Sequence, residues 1–396
     1  MCSSDLVYAQ VARRSYAGQG SIALLENLLK GWGSKGFVLI LLGFAATDFV
    51  ITMTLSAADA AEHAVHNPLL HPYLGDHNIL LTLLFLSLLA AVFIRGFKEA
   101  IGVAALIAIP YIGLNLVVLA RGVVEILHHP EALPRWRAAL AAQGDWSQLL
   151  LAAVIVFPSL ALGLSGFETG VSVMPLVRGR EQDGPGSVPH GRIRSTRSLL
   201  FTAATTLSFL LLASSFFTPL PVPEAAYQRG GPASGRAIAY LAHQLPGTAF
   251  GTVYDISTIL ILWFAGASAM AGLLHLIPRY LPRFGMAPRW VSYSRPLVLV
   301  LFSISVVVTL VFKADVNAQG GAYATGVLVL MLSAAVAAAI ALWRERARRA
   351  ALFSWAVAGV FTYTLLDNVH ARPDGLIVAS VFIAFTVIIG VVSRSW

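Results

Sequence analysis

The chain is short of charge and almost without sulfur chemistry. Of its 396 residues only 12% are Asp, Glu, Lys or Arg, against about 25% in an ordinary soluble domain. That shortage argues against a soluble enzyme, a disordered segment and a nucleic-acid binder together. A single cysteine, Cys2, excludes an intramolecular disulfide and any cysteine-based metal site. No nucleophile elbow, P-loop or zincin motif is present, and Gly18-Gln19-Gly20 and Gly230-Gly231 have no strand before them to make a phosphate cradle. Neither an enzymatic activity nor a cofactor is expected. Residues 1–35 lack the apolar core of a cleavable signal peptide.

What the chain does have is apolar length. It is 57% hydrophobic, with a mean hydropathy of +0.76. A bilayer core about 30 Å thick takes roughly 20 apolar residues per helix. Ten stretches meet that requirement: 36–58, 79–94, 100–120, 148–177, 198–217, 255–278, 297–312, 321–343, 351–366 and 375–393. The expected fold class is therefore all-α and integral to the membrane. Placing 1–35 on the cytoplasmic side puts all the Lys and Arg inside except Arg121, Arg135, Arg137, Arg229, Arg236, Lys313 and Arg372, as the positive-inside rule requires. This reading gives a multi-pass protein of the plasma (inner) membrane with both ends cytoplasmic. It divides into a leader (1–35), a transmembrane domain (36–393) and a short cytoplasmic end (394–396). Cys2-Ser3-Ser4-Asp5-Leu6 matches what the tail of a common sequencing adapter encodes, and Trp396 directly follows a span, so a fragment open at both ends is expected.

An ionisable residue inside a span costs about 2.5 to 3.5 kcal/mol on insertion scales, so each needs a partner or a purpose. Two acids read as deep. Asp48 lies 13 residues from Lys35 and Glu168 lies 10 from Arg178, or about 20 Å and about 15 Å at the helical rise. Asp48, Thr52, Ser56 and Asp59 follow i, i+4, i+8 and i+11 and share one helix face. Asp59, the outermost, is expected to line a vestibule. The span holding Glu168 contains Pro158, Gly163, Gly166 and Gly170, residues that break helices. Broken helices at membrane depth line cavities, where their freed backbone groups bind ions and substrates. His63, His66, His71 and His77, with His128 and His129, read as solvated loop histidines, since no acid signature completes a metal site. His275 reads as a core histidine with a backbone partner.

Three motifs add a resemblance. Tyr16-Ala17-Gly18-Gln19-Gly20-Ser21 with Glu26-Asn27, Arg95-Gly96-Phe97-Lys98-Glu99, and Ser165-Gly166-Phe167-Glu168 resemble, in order and spacing, the amino acid, polyamine and organocation permease superfamily. The resemblance implies a five-plus-five inverted-repeat transporter fold with twelve helices, of which this chain would carry ten and lack the first two. It is closest to bacterial potassium-uptake-type permeases. By that likeness Asp48, Thr52, Ser165 and Glu168, with Gly166 in the break, would hold a cation, and Asp48 and Glu168 would couple its movement to protons. Ser165 stands where a threonine is usual and Phe49 where a tyrosine is expected. The absence of lysine from 100–120 favours the cation reading over an amino acid permease. A non-transporting membrane sensor or assembly partner is the reading from another class. The implied partners are the lipid bilayer, protons and a small ion or molecule, with a homodimer allowed and no nucleic acid. With its first two helices missing, the chain is expected to leave the polar face of Asp48 exposed.

Overall fold

The computed structural model describes residues 3–15, 20–28, 32–75, 77–96, 100–142, 144–157, 170–171, 174, 177, 188–228, 230–280 and 293–395. Among them every regular element is a helix. In chain order these are α1 (Ser3–Arg14), α2 (Gly20–Leu28), α3 (Trp32–His66), α4 (His71–Leu74), α5 (Asn78–Arg95), α6 (Ala100–His128), α7 (Ala132–Ala141) and α8 (Trp146–Val156). They continue with α9 (His190–Phe217), α10 (Glu224–Tyr227), α11 (Ala237–Gln244), α12 (Thr248–Tyr280), α13 (Ser294–Val311), α14 (Val316–Arg344), α15 (Arg348–Ala371) and α16 (Asp374–Ser395).

Eight of the described helices are long and apolar enough to cross a bilayer: α3, α5, α6, α9, α12, α13, α14 and α15. They coincide with eight of the ten predicted spans, and this is an all-α, multi-pass membrane protein. In lipid every backbone group must find its partner within the protein, which is why apolar length and helix go together here. The predicted span 375–393 falls within α16, whose Asp374–Ala384 part is a shorter apolar helix. Only the beginning of the predicted span 148–177 is well described, as α8, which follows α7 at a sharp bend. Several helices outrun their predicted spans. The apolar stretch 36–58 is the middle of a helix that continues to His66, so His63 is a helical residue, not a loop one.

Two helices form the middle of the bundle. Within the best apolar window, 78% of α3 and 78% of α14 is buried by protein, against 17% for α6 and 11% for α9. Composition explains the difference. The α14 stretch Gly320-Gly321-Ala322 with Ala324, Gly326, Ala334, Ala335 and Ala337-Ala338-Ala339 is all buried, and small residues let helix backbones approach closely in a membrane. A methyl group added to Gly326 would stand 3.1 Å from Asp48 Cβ and 3.2 Å from its Cα, and one added to Gly272 of α12 would stand 3.1 Å from the Phe49 ring. The peripheral helices turn Leu106, Ile109, Phe209 and Leu212 outward, each more than half exposed, as lipid-facing residues must be.

α1 and α2 are bound to this bundle. Val7, Tyr8, Val11, Ala12, Ile22, Leu24 and Leu25 are buried in the main core. Arg14 donates from Nε and Nη2 to both carboxylate oxygens of Glu345 at 2.9 and 2.6 Å. Arg344 Nη2 donates to the Leu28 carbonyl at 3.1 Å, and Ser333 donates to the Ser21 hydroxyl at 3.2 Å. Within the expected leader, α1 and α2 thus belong to the packing at one end of α14.

Two outcomes follow. Gly326→Val should force α3 and α14 apart and cost about 1–3 kcal/mol as overpacking, read as a lower thermal midpoint in detergent, whereas Gly359→Ala, which meets open space, should leave it unchanged. Hydrogen bonds from Arg14 hold the Glu345 carboxyl below its usual range. A depressed carboxyl contributes stability above its unfolded value and loses it as pH falls through the folded one. Glu345→Gln should therefore speed tryptic cleavage after Arg13 and Arg14 at neutral pH, and acidification below about pH 4 should speed amide hydrogen exchange in α1. An unchanged cleavage rate would show that the clamp does not hold α1.

Candidate functional site

The polar stripe of α3 starts at the middle of the bundle. Asp48 is 7% exposed, covered on one side by the backbone of α14 at Gly326 and within electrostatic reach of the buried Tyr323 of α14. The expectation that its face would stand exposed is not met. Small residues on α14 allow that helix to close over Asp48 directly. The Thr52 hydroxyl donates to the Asp48 carbonyl oxygen at 2.7 Å, so its proton is committed to the backbone while its oxygen remains able to accept. Ser56, one turn further, is buried. Phe49, in the place of an expected tyrosine, is 1% exposed and packed on Gly272. Ser165, Gly166 and Glu168 lie outside the described residues, so the predicted meeting of Asp48 with the glutamate of a broken helix is not placed.

Toward the His66 end, α3 reaches a second polar centre. Asp255 of α12 is 1% exposed, a third deep acid beyond the two read from the sequence. Its Oδ1 takes His63 Nδ1 at 3.0 Å, and its Oδ2 takes Asn67 Nδ2 at 2.7 Å and His243 Nε2 at 2.8 Å. An ionised carboxylate only accepts, so His63 carries its proton on Nδ1 and His243 on Nε2. Three donors from α3 and α11 thus converge on one carboxylate of α12, which meets the requirement that a buried charge be fully hydrogen-bonded. The solvated reading of His63 is corrected, while His66, His71 and His77 are indeed on the surface. A side chain at Gly251 would overlap the His243 ring, so glycine at that position lets α11 close on α12.

A cavity of about 510 Å³ opens beside this centre. Asp59 and His63 of α3, Tyr111 of α6, Arg236 at the start of α11 and Tyr254 of α12 line it, with Tyr227 at its edge. Tyr254 Oη donates to Asn115 Oδ1 at 3.1 Å, and its ring lies 6.1 Å from that of Tyr111. Burial pulls the Arg236 guanidinium below its usual range, and the nearby Asp255 and Glu62 charges act against that pull.

The sequence carried one faint signal of this centre. His63 stands on the continuation of the Asp48 helix and Asn67 just past its end, but their partner is 192 and 188 residues away.

Removing the shared acceptor strands three buried donors, and breaking a buried pair in that way costs about 3–5 kcal/mol. Asp255→Ala should therefore lower the thermal midpoint in detergent much further than His243→Ala, which removes one donor and leaves two. Equal effects would mean that α12 is held at this end by packing alone.

No protein-family model matches this chain, and no curated protein matches it.

Proposed function

We propose that the protein is a secondary-active, alternating-access permease that takes up a small cation, with potassium favoured, in exchange for or together with protons. The observation that carries this reading is the burial of Asp48 at the seam of the two most enclosed helices. A carboxylate on a membrane helix that faces the bundle interior and not lipid is expensive to keep, and a cation or a proton is what such a group neutralises. Small residues on α14 bring a second backbone against it, and the Thr52 oxygen one turn away can serve as a further ligand. In this reading Ser165, Gly166 and Glu168 complete the site from a broken helix, and Glu168 and Asp48 carry the coupling proton. The fold is the five-plus-five inverted repeat that the sequence motifs resemble, in the plasma membrane, with the Arg95 end cytoplasmic and the His66 end outside. Transport, with no chemical conversion of the solute, is the activity.

The competing solute is a neutral amino acid, whose ammonium and carboxylate would rest on helix backbone and depend little on the Asp48 charge. Uptake of radioactive rubidium and of an amino acid panel into proteoliposomes separates the two. Asp48→Asn keeps the shape of the side chain and removes its charge, so the rubidium KM should rise at least tenfold. Rubidium uptake with an unchanged KM in that variant, or amino acid uptake without rubidium uptake in the parent chain, would overturn the cation reading.

A further inference from the structure

We infer that the turn between α14 and α15 is a docking site for an anionic phospholipid of the leaflet at that end. It uses none of the residues around Asp48 and stands apart from the transport reading. Four of the six residues 344–349 are arginine, and all four are exposed. The turn fixes their spacing. Arg346 takes a left-handed conformation at a φ of 61°, its N–H donates to the Trp343 carbonyl at 3.1 Å, and the Ala347 N–H donates to the Leu342 carbonyl at 3.0 Å. Glu345, the one acid in this segment, is already engaged by two donors of Arg14, and Arg344 holds the Leu28 carbonyl. Among the described residues Arg346, Arg348 and Arg349 make no ion pair and no side-chain hydrogen bond. Arg348 and Arg349 also occupy the first turn of α15, whose cap residue Ala347 supplies no side-chain acceptor. Cations there stand against the positive end of the helix dipole. The turn therefore presents more positive charge than its one carboxylate can offset.

What lies beside the arginines selects the occupant. Arg348, Leu352 and Trp355 follow i, i+4 and i+7, and Arg349 and Phe353 follow i and i+4, so each arginine heads a helix face that continues in apolar side chains. Leu352, Phe353 and Trp355 are exposed, as is Trp343 at the end of α14. Because α15 is long and apolar enough to span, these residues meet lipid, and Leu352 stands about 6 Å along the helix from Arg348. Free phosphate would engage the arginines and leave that apolar face unused. An acidic peptide or a nucleic acid would have to lie among lipid headgroups to reach it. A phospholipid with a net negative head sets its phosphate on the guanidinium groups, whose forks match phosphate oxygens, and lays its acyl chains along Leu352 and Phe353. Basic clusters next to a spanning helix attract anionic lipid in this way, and tryptophan beside them sits at headgroup level.

The test uses the full chain in dodecyl maltoside, with dioleoyl phosphatidylglycerol, dioleoyl phosphatidylcholine or glycerol 3-phosphate added and bound molecules counted by native mass spectrometry. Phosphatidylglycerol should bind at least tenfold more tightly than phosphatidylcholine. Arg346→Gln, Arg348→Gln and Arg349→Gln together should cut that preference below threefold, and each of them alone should weaken phosphatidylglycerol binding at least twofold. Arg135→Gln, Arg137→Gln and Lys313→Gln together remove the same charge from exposed positions on α7 and beyond the far end of α14, and should leave the preference within twofold. Equal affinity for the two lipids overturns the inference, as does a preference that survives the arginine triple substitution in protein of unchanged thermal midpoint. Equal loss in the two triple variants would make the attraction a matter of net charge, and glycerol 3-phosphate binding as tightly as phosphatidylglycerol would make this a site for free phosphate. Either result overturns it as well.

Discussion

Gly326 has no side chain, and Asp48 stands in the room this leaves. The close approach of α14 to α3 at that point sets backbone against Asp48 and helps to keep its carboxylate out of lipid. Helix association in a bilayer gains little from the hydrophobic effect, because lipid tails are as apolar as leucine. What remains is close packing and the need to bury polar groups. Both are concentrated on α3 and α14, and the other long helices are arranged around that pair.

The same logic explains why polar residues lie in a column along α3. Asp48, Ser56 and His63 are all enclosed, and Thr52 and Asp59 are partly so. Each has a different solution. Asp48 is covered by glycine and alanine backbone, Thr52 bonds to its own helix, and His63 donates to a carboxylate on α12. Asp59 and His63 open onto a sizeable cavity. A helix that must satisfy so many polar groups has few orientations available to it, which fixes the relative rotation of α3, α12 and α14.

α1 and α2 gain their structure from this core. They are too polar to span, with Arg13, Arg14 and Glu26 among them, yet they present Val7, Tyr8, Val11 and Leu25 to α14 and its neighbours. A bidentate arginine on Glu345 and a capped carbonyl at Leu28 secure the polar side. An amphipathic segment next to an apolar helix end has a surface to cover, and these residues cover it.

By itself the sequence determined where eight long apolar helices run, because hydropathy is a local property of a chain in a bilayer. It also placed Asp48, Thr52, Ser56 and Asp59 on one face, since a periodicity of 3.6 needs no neighbour to be read. Tertiary structure alone decided that His63 is buried, that Asp255 is the acceptor for three donors, and that α1 and α2 pack on the bundle. Those outcomes depend on which helices lie side by side, and the partners are separated by 192 residues for His63 and by 331 for Arg14. Spacing along a chain carries no information about contacts of that range, because they are set by how whole helix surfaces fit and not by the residues on either side.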